Sequence, residues 1–134
     1  MAAAARRDCL TDVAKSQKRR RRERLVEICR ALPEVEIQGD HHLAFVVRKK
    51  KLAYYLDDHH GDGLVALACK APPGENHALV DFDPERFYIP AYVGPKGWVG
   101  LRLDLASVDW DEVAELVHDA YRLAAPKTLA RQLD

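Results

Sequence analysis

The chain holds few of the residues that common chemistries require. Its three cysteines, Cys9, Cys29 and Cys69, include no C-x-x-C pair. An odd, scattered set fits thiols kept reduced in a cytosol better than a disulfide framework. Serine occurs only at Ser16 and Ser107, neither inside a G-x-S-x-G motif, so a serine-nucleophile elbow is excluded. The seven glycines form no phosphate-cradling loop of the dinucleotide or nucleotide type. No apolar run approaches the ~18–20 residues that span a bilayer. At the N-terminus Ala2–Ala5 leads straight into Arg6-Arg7 without the apolar core of a secretory leader, so a cytoplasmic location is expected. These gaps predict a protein that is not an enzyme, needs no cofactor and does not enter a membrane.

What remains is an ordinary globular mix, 48% apolar and 31% charged, and 134 residues are enough for one domain. Lysine plus arginine and aspartate plus glutamate both total 21, but the two signs are unevenly spread. Residues 1–24 carry nine cations against three acids, and the remainder is acidic by the same margin. The leading segment favours a polyanionic partner, whereas the acidic body counts against a dedicated nucleic-acid domain.

Leu25, Ile28, Cys29 and Leu32 stand at i, i+3, i+4 and i+7, an apolar helical stripe that Pro33 ends. Upstream, Gln17 and Arg21 interrupt that face, so residues 1–20 read as a basic extension, helical or disordered, before a domain over 21–134. Residues 44–47 and 52–56 read as two strands around a basic turn, Arg48 to Lys51, and 64–68 as a third. Short links between the three imply antiparallel pairing. A short helix from Glu75 is expected to stop before Asp83-Pro84, followed by an extended piece at 87–89 and a shaped loop over 90–97. In the strand at 98–103, Trp98, Gly100 and Arg102 share one face, and Val99, Leu101 and Leu103 share the core face. Asp109 and Glu112 have capping-box spacing, Val108 and Val113 that of a hydrophobic staple, and an apolar stripe continues to Ala124. The reading is α+β, a two-layer arrangement with an antiparallel sheet and helices on one face.

The stretches ALPEVE (31–36), DPERFY (83–88), GPKGWVGLRLD (94–104), VDWDEVAELV (108–117) and YRLAAPKTLA (121–130), with His42 before Ala44-Phe45, resemble the MmcQ/YjbR family. The resemblance runs from about Arg21 to the C-terminus and implies an α-β(3)-α-β(2)-α order similar to secretion chaperones. It also implies DNA binding of a double-wing kind with no defined target sequence, an argument from shape. The matching positions are His42, Phe45, Tyr92, Gly94, Gly97, Trp98, Asp109, Trp110, Tyr121, Pro126 and Lys127. Leu43 departs from the pattern, in which proline often follows the histidine, and this leaves the geometry of that turn open.

Candidate DNA contacts are therefore Arg48, Lys49, Lys50 and Lys51 on the hairpin, Lys96, Trp98 and Arg102 around the second wing, and Lys127 after the last helix. Each has a plainer alternative: a lysine-rich turn keeps a sheet edge soluble, and a tryptophan commonly covers a sheet. Arg19–Arg22 and Arg24 are spread around a helix, so they serve as a non-specific arm or meet an acidic surface. A second functional reading is a small-ligand site on the concave sheet face, lined by His42, Tyr54, Tyr92 and Trp98. A third is an interaction module, with the protein a monomer or homodimer. His41-His42 and Asp57 to His60 contain metal-ligand residue types, but neighbours on a strand point to opposite faces and no metal site is expected.

Overall fold

A computed structural model describes residues 2–133, and within it the side chains of 12–59 and 61–133. Helix α1 (Ala2–Arg30) is followed by four strands, β1 (Val35–Gly39), β2 (Leu43–Val47), β3 (Lys50–Asp57) and β4 (Val65–Cys69). Helix α2 (Glu75–Phe82), strands β5 (Phe87–Tyr88) and β6 (Val99–Arg102), and helices α3 (Trp110–Ala124) and α4 (Lys127–Ala130) complete the order. The sheet runs β1-β2-β3-β4-β6-β5 with every pair antiparallel. Among the described residues no helix is long and apolar enough to cross a membrane.

Alternation along the strands sorts the sheet into two faces. Phe45, Val47, Ala53, Tyr55, Leu67, Cys69, Val99 and Leu101 are buried with Leu25 and Cys29 of α1 and with Val113, Val117, Ala120 and Tyr121 of α3. The opposite face carries Ala44, Tyr54, Leu56, Ala66, Ala68, Gly100 and Arg102, as the period of two requires. The core assignment of Val99, Leu101 and Leu103 holds. Tyr121, fully buried, donates its hydroxyl to the Pro33 carbonyl at 2.8 Å and joins α3 to the end of α1.

Three local expectations need correction. Strand β1 was not foreseen, although Val35-Glu36-Ile37-Gln38 alternates; four strands precede α2, not three. The hairpin turn is two residues long, not four. Arg48 and Lys49 both have positive φ, 49° and 68°, the signature of the primed turn whose twist matches the strands. Lys50 and Lys51 therefore belong to β3, and a bulge between Phe45 and Val46 adjusts the register. The capping box is only half formed: Asp109 accepts from the Asp111 and Glu112 backbone N–H groups, while the Glu112 carboxylate accepts from Arg86. Where Leu43 departs from the family pattern, the turn closes on Gly39. It has φ 101°, and the His42 carbonyl fills the space of a side chain.

Helix α1 continues unbroken through residue 20, and its cations fasten it to the body. Arg21 donates to the carbonyls of Leu103 (2.8 Å), Leu105 (2.6 Å) and Ala106 (3.2 Å) just after β6. Arg22 donates to the Asp40 carbonyl, and Lys18 pairs with Asp57 at 3.0 Å. Arg21, which interrupts the apolar stripe, is thus an anchor.

Candidate nucleic-acid interface

The two-residue hairpin places Lys49 at its tip and Lys50 and Lys51 at the start of β3. Because β4 runs antiparallel to β3, its end returns beside that start: Lys70 N–H donates to the Leu52 carbonyl at 3.1 Å. Lys96 arrives from the other side, on a single 3₁₀ turn (Gly94–Lys96) ended by Gly97 at φ 92°. Lys49, Lys50, Lys51, Lys70 and Lys96 line one open cleft of about 670 Å³. No carboxylate lines it, and none of the five forms an ion pair with a described residue. Five unneutralised ammonium groups around one depression sum to a strong local positive potential, whatever the formal neutrality of the chain.

The cleft has an aromatic wall. The Tyr54 and Trp98 rings stack with centroids 5.1 Å apart, and the Lys51 ammonium lies 5.8 Å from the Tyr54 centroid, within cation–π range. Trp98 is only 5% exposed, so its indole supports Tyr54 and does not itself offer a face to a ligand. The loop that carries both Lys96 and Trp98 is pinned by Asn76 of α2. This buried amide donates to the carbonyls of Gly94 (3.2 Å) and Trp98 (3.1 Å).

The other expected DNA contacts lie elsewhere. The Arg48 guanidinium forms a fork with the Glu34 carboxylate at 2.7 and 2.9 Å, and this holds that carboxyl below its usual range. Arg102 is likewise held by Asp104 at 3.0 and 3.3 Å. Lys127 opens α4, exposed and outside the cleft. Two residues the sequence reading missed complete the site. Antiparallel pairing already brings the end of β4 back beside the start of β3, and the observed register sets residue 70 next to residue 52. Asn76 carried no such signal, because nothing in a helical pattern marks one amide as buried.

A second cavity of about 280 Å³ adjoins the first, with Tyr54 and Val93 common to both. Its walls include Leu56, His59, Ala68, Tyr88 and Tyr92, with Asp62 at its margin. Of the residues expected for a ligand site, Tyr54 and Tyr92 line it, while Trp98 faces the lysine cleft. His42 stands one layer back: its ring stacks on His59 (5.0 Å, 18°) and its Nε2 meets the Asp57 carbonyl at 2.8 Å. No group of three or more metal-ligating side chains occurs among the described residues. Burial pushes the Cys69 thiol up to about 12 and the Cys29 thiol well above its ordinary value, so neither supplies a thiolate near neutral pH.

Comparison with known proteins agrees with this architecture. No curated protein sequence matches the chain. The crystal structure of Deinococcus radiodurans protein DR2400, which carries the DUF419 domain, has a similar fold. Its TM-score is 0.62 at 23% identity, covering 80% of this chain and 83% of that one. The YjbR family model matches residues 30–123, from the last turn of α1 through most of α3 and including every lysine of the cleft. The chain belongs to the YjbR family.

Proposed function

We propose that this protein binds DNA through its backbone phosphates, without selecting a sequence and without catalysing a reaction on it. One observation carries the reading: the five lysines of the cleft converge with no carboxylate among them, although the body outside α1 is acidic. Lysine is a mobile point charge that accepts a phosphate from many directions, which suits contact with a repeating backbone. The two arginines nearest in sequence, Arg48 and Arg102, would give more directional contacts, and both are held by carboxylates of the chain itself. Phosphate contacts position a duplex and carry no base information.

Fluorescence anisotropy with a labelled duplex, measured across a salt series, tests the proposal. Each phosphate neutralised contributes about 0.9 to the slope of log K against log salt. Replacing Lys49 and Lys50 together by alanine is expected to lower that slope by about 1–2 and to weaken binding at low salt. The Arg48→Asn variant, whose side chain tolerates the positive φ, is expected to bind as the wild type does. Absence of binding at low salt, or binding indifferent to salt and to both lysines, overturns the proposal.

A further inference from the structure

We infer that the aromatic cavity beside the lysine cleft receives one unpaired nucleobase whose phosphate is held by the lysines. This rests on the phosphate-binding reading and deepens it, because it names the form of nucleic acid the site accepts.

The argument begins with the shared wall. Tyr54 and Val93 line both spaces, so a phosphate among the lysines stands beside the second cavity. Four aromatic rings, those of Tyr54, Tyr88, Tyr92 and His59, line that cavity together with small and aliphatic residues such as Ala68. Aromatic walls suit a flat π-system, and any base can stack on them. A space of about 280 Å³ lies at the lower end of small-molecule sites and has room for a single base. Asp62 at the margin supplies an acceptor for the ring N–H or exocyclic amine of a base. Its other oxygen already accepts from Leu64 N–H at 2.9 Å, which fixes the side chain.

The floor is shaped for this emptiness. On the open face of β4, Ala68 contributes only a methyl group where a larger side chain would fill the space. Beside it on β6, Gly100 leaves room for the Tyr88 ring, which lies so close that no side chain fits there and which forms one wall of the cavity. At the mouth, Tyr92 is 80% exposed with φ 67°, a left-handed conformation that a bulky residue seldom adopts. A loop held in that conformation with a ring displayed to solvent is the kind of local strain that accompanies ligand contact. A paired base offers only its edges to a protein, so a stacking cavity selects single strands or bases displaced from a duplex.

The test uses the full chain with three labelled probes: a single strand, the same strand in a perfect duplex, and the duplex with one unpaired 2-aminopurine. The single strand and the unpaired site are expected to bind about tenfold more tightly than the perfect duplex, with 2-aminopurine fluorescence quenched on binding. Tyr92→Gly removes the ring while accepting the backbone angle, so the loop's conformation is retained. It should abolish the quench and the tenfold preference. A free nucleoside monophosphate, added as competitor, distinguishes the sources: displacement of the strand at stoichiometric levels identifies free nucleotides as occupants of the same site, and no displacement identifies the polymer. Equal affinity for all three probes with Tyr92→Gly unchanged, while lysine removal still weakens binding, overturns this inference and leaves the phosphate cleft standing. Loss of all binding to the wild type overturns both.

Discussion

Replacing Asn76 should loosen the lysine cleft from behind, with every residue that lines it left in place. The Asn76 side chain is 2% exposed, and its amide nitrogen donates to the Gly94 and Trp98 carbonyls. A net hydrogen bond contributes about 0.5–1.5 kcal/mol, and an acceptor left dry costs about 1–3 kcal/mol. The Gly94 carbonyl keeps a second donor, Gly97 N–H at 2.9 Å, so its loss is partly covered. Asn76→Ala is therefore expected to destabilise by about 2–3 kcal/mol, lowering the melting temperature on the order of 5–10 °C. Urea unfolding checks this through a lower midpoint at unchanged slope. Because Lys96 and Trp98 sit on the released loop, DNA affinity should fall too, although Asn76 contacts no ligand.

The aspartate variant tests the direction of the hydrogen bonds. In Asn76→Asp an ionised carboxylate would face two carbonyl oxygens with nothing to donate, so burial and neighbouring acceptors must raise its pKa above the ordinary value of about 3.9. A group whose folded pKa is raised binds its proton more tightly when folded. The deficit of this variant should therefore be smallest below about pH 4 and grow as pH rises through the folded pKa. An Asn76→Ala loss under about 0.5 kcal/mol, or an aspartate variant with a flat pH profile, would refute the claim that donation from this amide fixes the loop.

Two further outcomes follow from charged and polar groups outside the cleft. Arg86 joins Asp83 (2.6 Å) to Glu112, linking the end of α2 to the start of α3, and the Arg86 hydrogen bond holds the Asp83 carboxyl below its ordinary value. Its stabilisation is thus present above the unfolded aspartate pKa and lost as pH falls through the lower, folded one; thermal melts of Asp83→Asn should differ from wild type at pH 7 and converge with it in strong acid. Tyr55, 1% exposed, has a hydroxyl without a hydrogen-bond partner among the described residues, and burial with the nearby Asp57 carboxylate pushes its pKa up to about 12. Tyr55→Phe should be neutral or stabilising by up to ~1 kcal/mol near pH 7. It should also abolish the loss of stability that the wild type shows between about pH 10 and 12, as chemical unfolding across that range will show.

Much of the fold could be read from periodicity because burial imposes it. The α3 stripe, the Val99-Leu101-Leu103 face and the staple before Val113 all follow from one side of an element meeting a core. Strand β1 escaped because its two partly buried residues, Val35 and Ile37, alternate over only five positions on a sheet edge. The hairpin turn escaped because its residues, Arg48 and Lys49, are not those that make positive φ easy. Their conformation follows from the twist of β2 and β3, a tertiary constraint absent from local propensity. The lysines could be counted from the sequence, yet which of them are unneutralised depends on contacts such as Glu34 with Arg48 and Asp104 with Arg102.

The distribution of charge makes the same point about function. By sequence the densest positive run lies at Arg19 to Arg24, and a polyanion would be expected there. In the folded chain Arg21 and Arg22 donate to backbone carbonyls and Lys18 pairs with Asp57, so much of that density is engaged in docking α1. The cleft cations come instead from three separate segments, 49–51, 70 and 96, each unremarkable alone. Coulomb energy depends on separation in space, and the sheet converts a hairpin start, a strand end and a loop into neighbours. A chain of zero formal charge can therefore present a strong positive field at one place.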